Sequence, residues 1–321
     1  MNRIVRALMA LALALVVHPL AAETNWPDKP VRLVVGFTAG SATDVTARLF
    51  AQKFSEAWGQ PVVVENVAGN SGAIGTDKVA KAQPDGYTLM WSGNAAITIL
   101  PNLQTLPFDP LKDLAPISTA LSMPSIFLVN NDLPVKSIAE LIAYAKANPG
   151  KLSYGTPGVG TPQHVAGELF CHLAGIKMEH IPYRGANLAD VMGGIVPVGI
   201  QNAGASLLLV RDGRVRGIAI TSLKRSPNAP DLQTMVEAGF PGFEATSWFA
   251  LMAPAGTPQP ILDKVRAQSL KVLADPEMQK KFAALGLDVV GSTSEETRAA
   301  IANDIPKWGK VIKDANIKPG N

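Results

Sequence analysis

Chemistry in this 321-residue chain concentrates in two glycine-rich stretches. Phe37-Thr-Ala-Gly-Ser-Ala-Thr-Asp44 follows the apolar run Val31-Arg-Leu-Val-Val-Gly36, and Gly155-Thr-Pro-Gly-Val-Gly-Thr-Pro-Gln-His164 follows Lys151-Leu-Ser-Tyr154. Each reads as a strand, a turn and the opening of a helix. Backbone N–H groups in a helix's first turn lack intrahelical partners, and the helix dipole makes that end positive. Such a turn holds an oxyanion without a charged side chain. Two of them, facing each other, would grip a carboxylated molecule from both sides. In the first turn Ser41 or Thr43 can cap the helix. Asp44 either folds back onto the helix start or stands beside a carboxylate held by the turn amides and the Ser41 and Thr43 hydroxyls. In the second, Thr161 suits the N-cap, and Pro162 suits the first helical position, where its missing N–H costs nothing. The glycine spacing matches neither a dinucleotide fingerprint nor a Walker loop, so nucleotide binding is not expected.

Other constellations carry less chemistry. His164, Glu168 and His172 recur at helical spacing, but the outer two lie about 12 Å apart at 1.5 Å per residue, too far to share one ion. The three read as a solvated helix flank, with His164 at the helix start near a cleft, and no metal or cofactor is expected. Gly69-Asn-Ser-Gly72 lacks the G-x-S-x-G form of a nucleophile turn, so no catalytic residue is assigned. Arg184, in Tyr183-Arg-Gly185, either offers a bidentate contact to a carboxylate or is a snorkelling surface arginine. Asn94, in the polar turn Ser92-Gly-Asn94 after a strand, is a further candidate for the ligand site. Trp248 reads as a core anchor, with a lid aromatic as the alternative.

The elements that must position these residues alternate strand and helix, which implies an α/β architecture with mixed, mostly parallel sheets. The extended run Leu114 to Asn130 reads as a strand passing between two lobes, and the polar segment Ser222 to Pro241 as the way back. The expected division is a first lobe of 23–123 with 223–321, a second lobe of 124–222, and a two-segment hinge able to close on a ligand.

Residues 1–22 have the basic start, eleven-residue apolar run (Ala7 to Val17) and small-residue end of a cleavable secretory signal. The run is too short for a membrane span, which takes about 20 residues. The 29 basic residues less Arg3 and Arg6 leave 27 against 26 acidic ones, a balance that suggests neither nucleic acid nor an anionic membrane as partner. Cys171 is the single cysteine, so no internal disulfide forms and the core must hold the fold. A hydrophobic content of 47% supplies that core. The expected product is soluble and exported, a monomer without direct membrane insertion.

An ordered set of motifs then resembles one family across essentially the whole mature chain. Phe37-x-Ala-Gly-x-x-Thr-Asp44, Gly72-x-Ile-Gly75, Pro84-Asp-Gly-Tyr87, Tyr154-Gly-Thr-x-Gly-x-Gly-x-x-x-His164, Pro182-Tyr-Arg-Gly185, Glu237-Ala-Gly-x-Pro-Gly-Phe243 and Ala253-Pro-Ala-Gly-Thr-Pro258 are similar to the Bug (TctC-like) solute-binding receptors. The resemblance implies a type II periplasmic-binding fold. It also implies a small carboxylate held between the two turns, partly through ordered water, and delivery to a tripartite tricarboxylate-type permease. Carried over by motif, the site comprises Phe37, Thr38, Ala39, Gly40, Ser41, Thr43 and Asp44 in the first lobe. In the second it comprises Thr156, Gly158, Val159, Gly160, Thr161 and His164.

Two departures bear on the ligand. Ser41 stands where many relatives have a second glycine, and Ile200-Gln201-Asn202 replaces the family's Phe-Asp-Asn. In relatives that take amino acids that aspartate suits an ammonium group. Gln201 is uncharged, which favours a keto-, hydroxy- or aromatic carboxylate. The rival readings are a secreted hydrolase on a two-lobed scaffold and a ligand-sensing module without a transport role.

Overall fold

The structure, a computed structural model, describes residues 26–183 and 185–317; the expected signal segment 1–22 and Arg184 lie outside them. The chain lays down β1 (Val31–Val35), α1 (Ala42–Trp58), β2 (Val62–Asn66), α2 (Ala73–Ala80), β3 (Thr88–Gly93) and β4 (Leu114–Met123). A second set follows: β5 (Ser125–Val129), α3 (Ile138–Ala147), β6 (Ser153–Thr156), α4 (Pro162–Ala174), β7 (Glu179–Pro182), α5 (Leu188–Met192), β8 (Val198–Asn202), α6 (Ala203–Arg211) and β9 (Arg216–Ile220). The chain then returns through β10 (Ser247–Pro254), α7 (Gln259–Ala274), α8 (Pro276–Ala284), β11 (Asp288–Val289) and α9 (Ser294–Asp314). Two sheets result, ordered β11-β4-β10-β3-β1-β2 and β7-β6-β8-β5-β9.

β1 is nearly all β-branched or Leu and buried on both faces, as a central strand between parallel neighbours must be. α1 lays Ala47, Phe50, Ala51 and Phe54 on this sheet at helical spacing, and Gly59 ends it in the left-handed conformation at φ 66°. Phe50 packs against Trp91 at 4.5 Å and Phe282 at 5.9 Å between ring centroids, and Trp91 Nε1 donates to Thr46 Oγ1 at 2.9 Å. Truncating Phe50 to alanine there would cost about 3–5 kcal/mol. Phe127, Tyr154, Phe170 and Phe243 form the corresponding core of the second lobe.

Both sheets are mixed, as expected, though parallel pairing does not predominate. Parallel pairing joins β1 to β2 and β3, and β6 to β7 and β8, whereas β10 and β5 run antiparallel to both their neighbours and β11 to β4. The antiparallel strands include those that carry the chain across. A chain leaving one sheet and returning beside its own exit runs in the opposite direction, which hydrophobic alternation does not encode. The single long strand expected over Leu114 to Asn130 is two strands in different sheets, broken at Pro124, which has no N–H for a ladder.

The residues between β9 and β10 pack on the second sheet. Met235 N donates to Ile220 O at 3.0 Å and Ala245 N to Thr221 O at 3.2 Å. The chain therefore crosses back just before Ser247, later than the boundary drawn at residue 222. α9 adds a further link, since it packs on β4 and on α4. Among the described residues no helix is long and apolar enough to cross a membrane.

Candidate functional site

The first turn is built by its own brace. Ser41 caps α1 by accepting from Asp44 N at 3.2 Å, and Gly40 takes φ +81°, which only glycine adopts at little cost. Asp44 folds back: its carboxylate accepts from Gly40 N at 2.9 Å, Arg48 Nε at 3.0 Å and Asn66 Nδ2 at 2.8 Å. Burial pushes that carboxyl up, but these donors outweigh it and hold it below the usual carboxylate range. The Ala42 and Thr43 N–H groups are left without an acceptor among the described residues. Gly36, just before the turn, has no room for a side chain, because a Cβ would stand 2.7 Å from Gly72 Cα. The end of β1 therefore seats directly on the start of α2.

The second turn is held in the same spirit by different groups. Thr161 caps α4, accepting from His164 N at 3.3 Å while its hydroxyl donates to Gly158 O at 2.7 Å. Gly158 and Gly160 both have positive φ. His164 points inward: its Nδ1 accepts from Gly160 N at 3.2 Å and its ring stacks on His180 at 4.1 Å. Burial first, then the neighbouring His180, pushes His164 down to about 3, and burial pushes His180 down to about 4. Glu168 accepts from the Tyr154 hydroxyl at 2.5 Å, with its carboxyl raised by burial against that bond. The solvated-flank reading is therefore corrected, because His164 and Glu168 serve the interior of the second lobe. Among the described residues no cluster of His, Cys, Asp or Glu could hold a metal ion.

A cavity of about 460 Å³ lies between the sheets. Of the residues expected at the site, Phe37, Thr38, Ala39, Gly40, Ser41, Thr43, Asn94, Thr161, Gln201 and Asn202 line it. Asp44, Thr156, Gly158, Val159, Gly160 and His164 are not in its wall. Arg184 lies outside the described residues. The second-turn glycines meet the first lobe instead. Ser71 Oγ donates to Val159 O at 2.6 Å, and a Cβ on Gly160 would stand 2.7 Å from Leu100 Cδ2. Ser71, the serine of Gly69-Asn-Ser-Gly72, thus spends its proton on a carbonyl.

Three contributions escaped the sequence. α6 brings a third helix N-terminus to the cavity, where Gly204 and Ala205 line the wall with their N–H groups unaccepted among the described residues. Gln163 Nε2 lies within reach of Ser125 Oγ at 2.9 Å, Asn202 Oδ1 at 2.5 Å and Ser247 Oγ at 3.3 Å, so the first residues of β5 and β10 are tied to α4 and β8. Trp248 packs against the core cluster that includes Val34, Met90 and Met252 and also lines the cavity, and its Nε1 donates to Asp304 Oδ2 at 3.3 Å. Asn202, the residue before α6, was visible as a candidate, and Trp248 as an alternative lid aromatic. The rest depend on which segments meet across the crossing.

Gln201 Nε2 donates to Asn187 Oδ1 at 2.5 Å and to Gly155 O at 3.5 Å, which leaves its carbonyl as the group available to the cavity. No Asp, Glu, Lys, Arg or His appears in the described lining. The polarity of the space comes from hydroxyls, side-chain amides and three helix N-termini. That arrangement stabilises negative charge and offers neither a nucleophile–base pair nor paired carboxylates.

Comparison with known proteins adds the following. A family model described as "Tripartite tricarboxylate transporter family receptor" matches residues 46–317. Protein BugT of Bordetella pertussis (strain Tohama I) is 37% identical over 315 residues, covering 96% of this chain and 95% of that protein. The structure of Rpa4515 of R. palustris with adipate is 36% identical, with a TM-score of 0.86 over 92% of this chain and 100% of that one. The periplasmic binding protein BugD is 35% identical, with a TM-score of 0.83 over 91% of this chain and 99% of that one.

Proposed function

The chain belongs to the family of tripartite tricarboxylate transporter receptors, and from that premise we propose that it is an exported receptor closing over a small carboxylate. The observation that carries the reading is the convergence of three helix N-termini, from both lobes, on a cavity whose described lining holds no ionisable side chain. Such a wall favours an anion and gives a cation no partner. Closure removes water, lowers the local dielectric and strengthens each amide–oxyanion contact. Water molecules bridging amides and carboxylate suit a wall of this kind, because they adapt to ligands of different shape at small entropic cost. The adipate held by a relative of similar size supports a dicarboxylate as the first ligand to try. Delivery to a membrane permease, a periplasmic location after signal removal and a monomeric state complete the reading.

The test is calorimetric titration and thermal shift of protein unfolded, stripped and refolded, with adipate, malate, benzoate and glutamate as probes. A ligand at 100 times its Kd adds about 2.7 kcal/mol of apparent stability, enough to raise Tm by several degrees. Failure of every carboxylate to bind, with an amine or neutral sugar binding instead, would overturn the proposal.

A further inference from the structure

The glycine-rich turn of the second lobe is anchored by two imidazoles, and the chemistry of their contacts constrains their protonation. Gly160 N–H can only donate, so His164 Nδ1 must be a bare acceptor and its proton must sit on Nε2. Thr156 Oγ1 lies 2.7 Å from His180 Nε2. That hydroxyl already accepts from Gly158 N at 3.3 Å, and its other potential acceptor, Gly158 O, lies 3.4 Å away. With the Thr156 proton directed to His180 Nε2, the nearer of its two acceptors, His180 carries its own on Nδ1. The rings are stacked at 4.1 Å, an arrangement that two imidazolium ions would not tolerate.

We propose that His164 and His180 are positioning residues: a stacked pair of neutral imidazoles in opposite tautomers whose bare nitrogens hold the Thr156–Thr161 turn in the shape that meets the first lobe. The turn carries Val159 O, which accepts from Ser71 across the cleft, and Thr161, which lines the cavity. Tyr154 stacks on His180 from β6, and its hydroxyl goes to Glu168 on α4, so this carboxyl is occupied away from the rings. The nearby thiol of Cys171 is pushed up to about 12 by burial first and by Glu168 next, and so stays neutral. No described carboxylate forms an ion pair with either histidine. No described neighbour therefore favours the charged form of the pair, and burial pushes both rings further toward neutrality.

The role in binding rests on the receptor reading, but the geometry can be tested without any ligand. In ¹⁵N-histidine spectra of the wild-type protein near neutral pH, His164 should show an unprotonated Nδ1 and His180 an unprotonated Nε2. Amide exchange at Gly160 should quicken about tenfold or more in His164→Leu and stay near wild type in His164→Asn, whose carbonyl can replace Nδ1 as acceptor. Identical tautomers, a charged ring at neutral pH, or equal Gly160 exchange in both variants would overturn the proposal. If His164→Leu does not fold, the wild-type spectra decide. Adipate titration of His164→Asn and His164→Leu then reads the consequence for binding. Weaker binding in His164→Leu alone supports the positioning role, and equal affinities overturn it. If the wild type binds no adipate, the receptor reading is in question while the tautomer result stands.

Discussion

Ser71 of the first lobe donates its hydroxyl to the main-chain carbonyl of Val159 in the second, at 2.6 Å. Ser71 and the preceding Asn70 hold φ values of 46° and 47°, left-handed backbone that non-glycine residues seldom adopt. The loop bears that strain at the point where it reaches across the cleft. Replacing Ser71 with alanine removes a contact made when the lobes meet. Stopped-flow measurements with adipate should show dissociation faster by roughly three- to tenfold, with the association rate little changed. An unchanged off-rate would mean that this bond plays no part in holding the ligand.

The glycines of the two turns give separable effects. Gly40 sits at φ +81° with no atom near the position of an added Cβ, so Gly40→Val meets backbone strain and no clash. That strain is about 1–2 kcal/mol, and relieving it rotates the turn amides that face the cavity. Adipate affinity should fall about tenfold while Tm drops only a few degrees. Gly158→Val meets Tyr183 O at 3.2 Å as well as a positive φ, and should cost more. Calorimetry and circular dichroism together check both; full affinity in Gly40→Val would speak against the first turn as part of the site.

Gln201→Asp tests which way the cavity discriminates. The aspartate loses the amide donors to Asn187 and Gly155 and sets a negative charge at the cavity wall. Dicarboxylate affinity should drop tenfold or more, whereas glutamate, with its ammonium group, should gain relative to adipate. If the preference stays put, residue 201 does not face the ligand.

The histidine pair also predicts a pH dependence of stability. Both rings have folded values below the ordinary value of 6.5, at about 3 for His164 and about 4 for His180. Between 6.5 and those values the unfolded chain binds more protons than the folded one. The contribution is therefore complete above 6.5 and is lost as pH falls toward 4 and then 3. Each ring should add a slope of about 1.4 kcal/mol per pH unit. Carboxyls raised by burial, such as Glu168 and Asp304, act with the opposite sign as pH rises. The readout is therefore the difference between wild type and a His164→Asn, His180→Gln double variant in urea melts at pH 5 and pH 7. A difference that does not change with pH would refute the assignment.

What the sequence disclosed and what it withheld follow from the range of the interactions. Caps and turns are local, so Ser41, Thr161 and the Gly59 stop could be read from spacing, and so could the alternation that makes the fold α/β. Strand direction is not local. The antiparallel pairing of β10 with β3 and β4 depends on where the chain re-enters, which no residue pattern near Ser247 records. His164 was legible as a member of a helical stripe, but its burial was not, because His180 arrives from a separate element, strand β7. Gln163 and the start of α6 became cavity wall only through the crossing at Pro124 and Ser247.

The absence of ionisable groups from the cavity wall has a consequence outside it. No described group of that wall can take up or release a proton to offset the charge of an entering dianion, so the filled protein differs from the empty one by the whole charge of its cargo. Occupancy would then shift the isoelectric point, giving a membrane partner an electrostatic cue besides shape for telling full from empty.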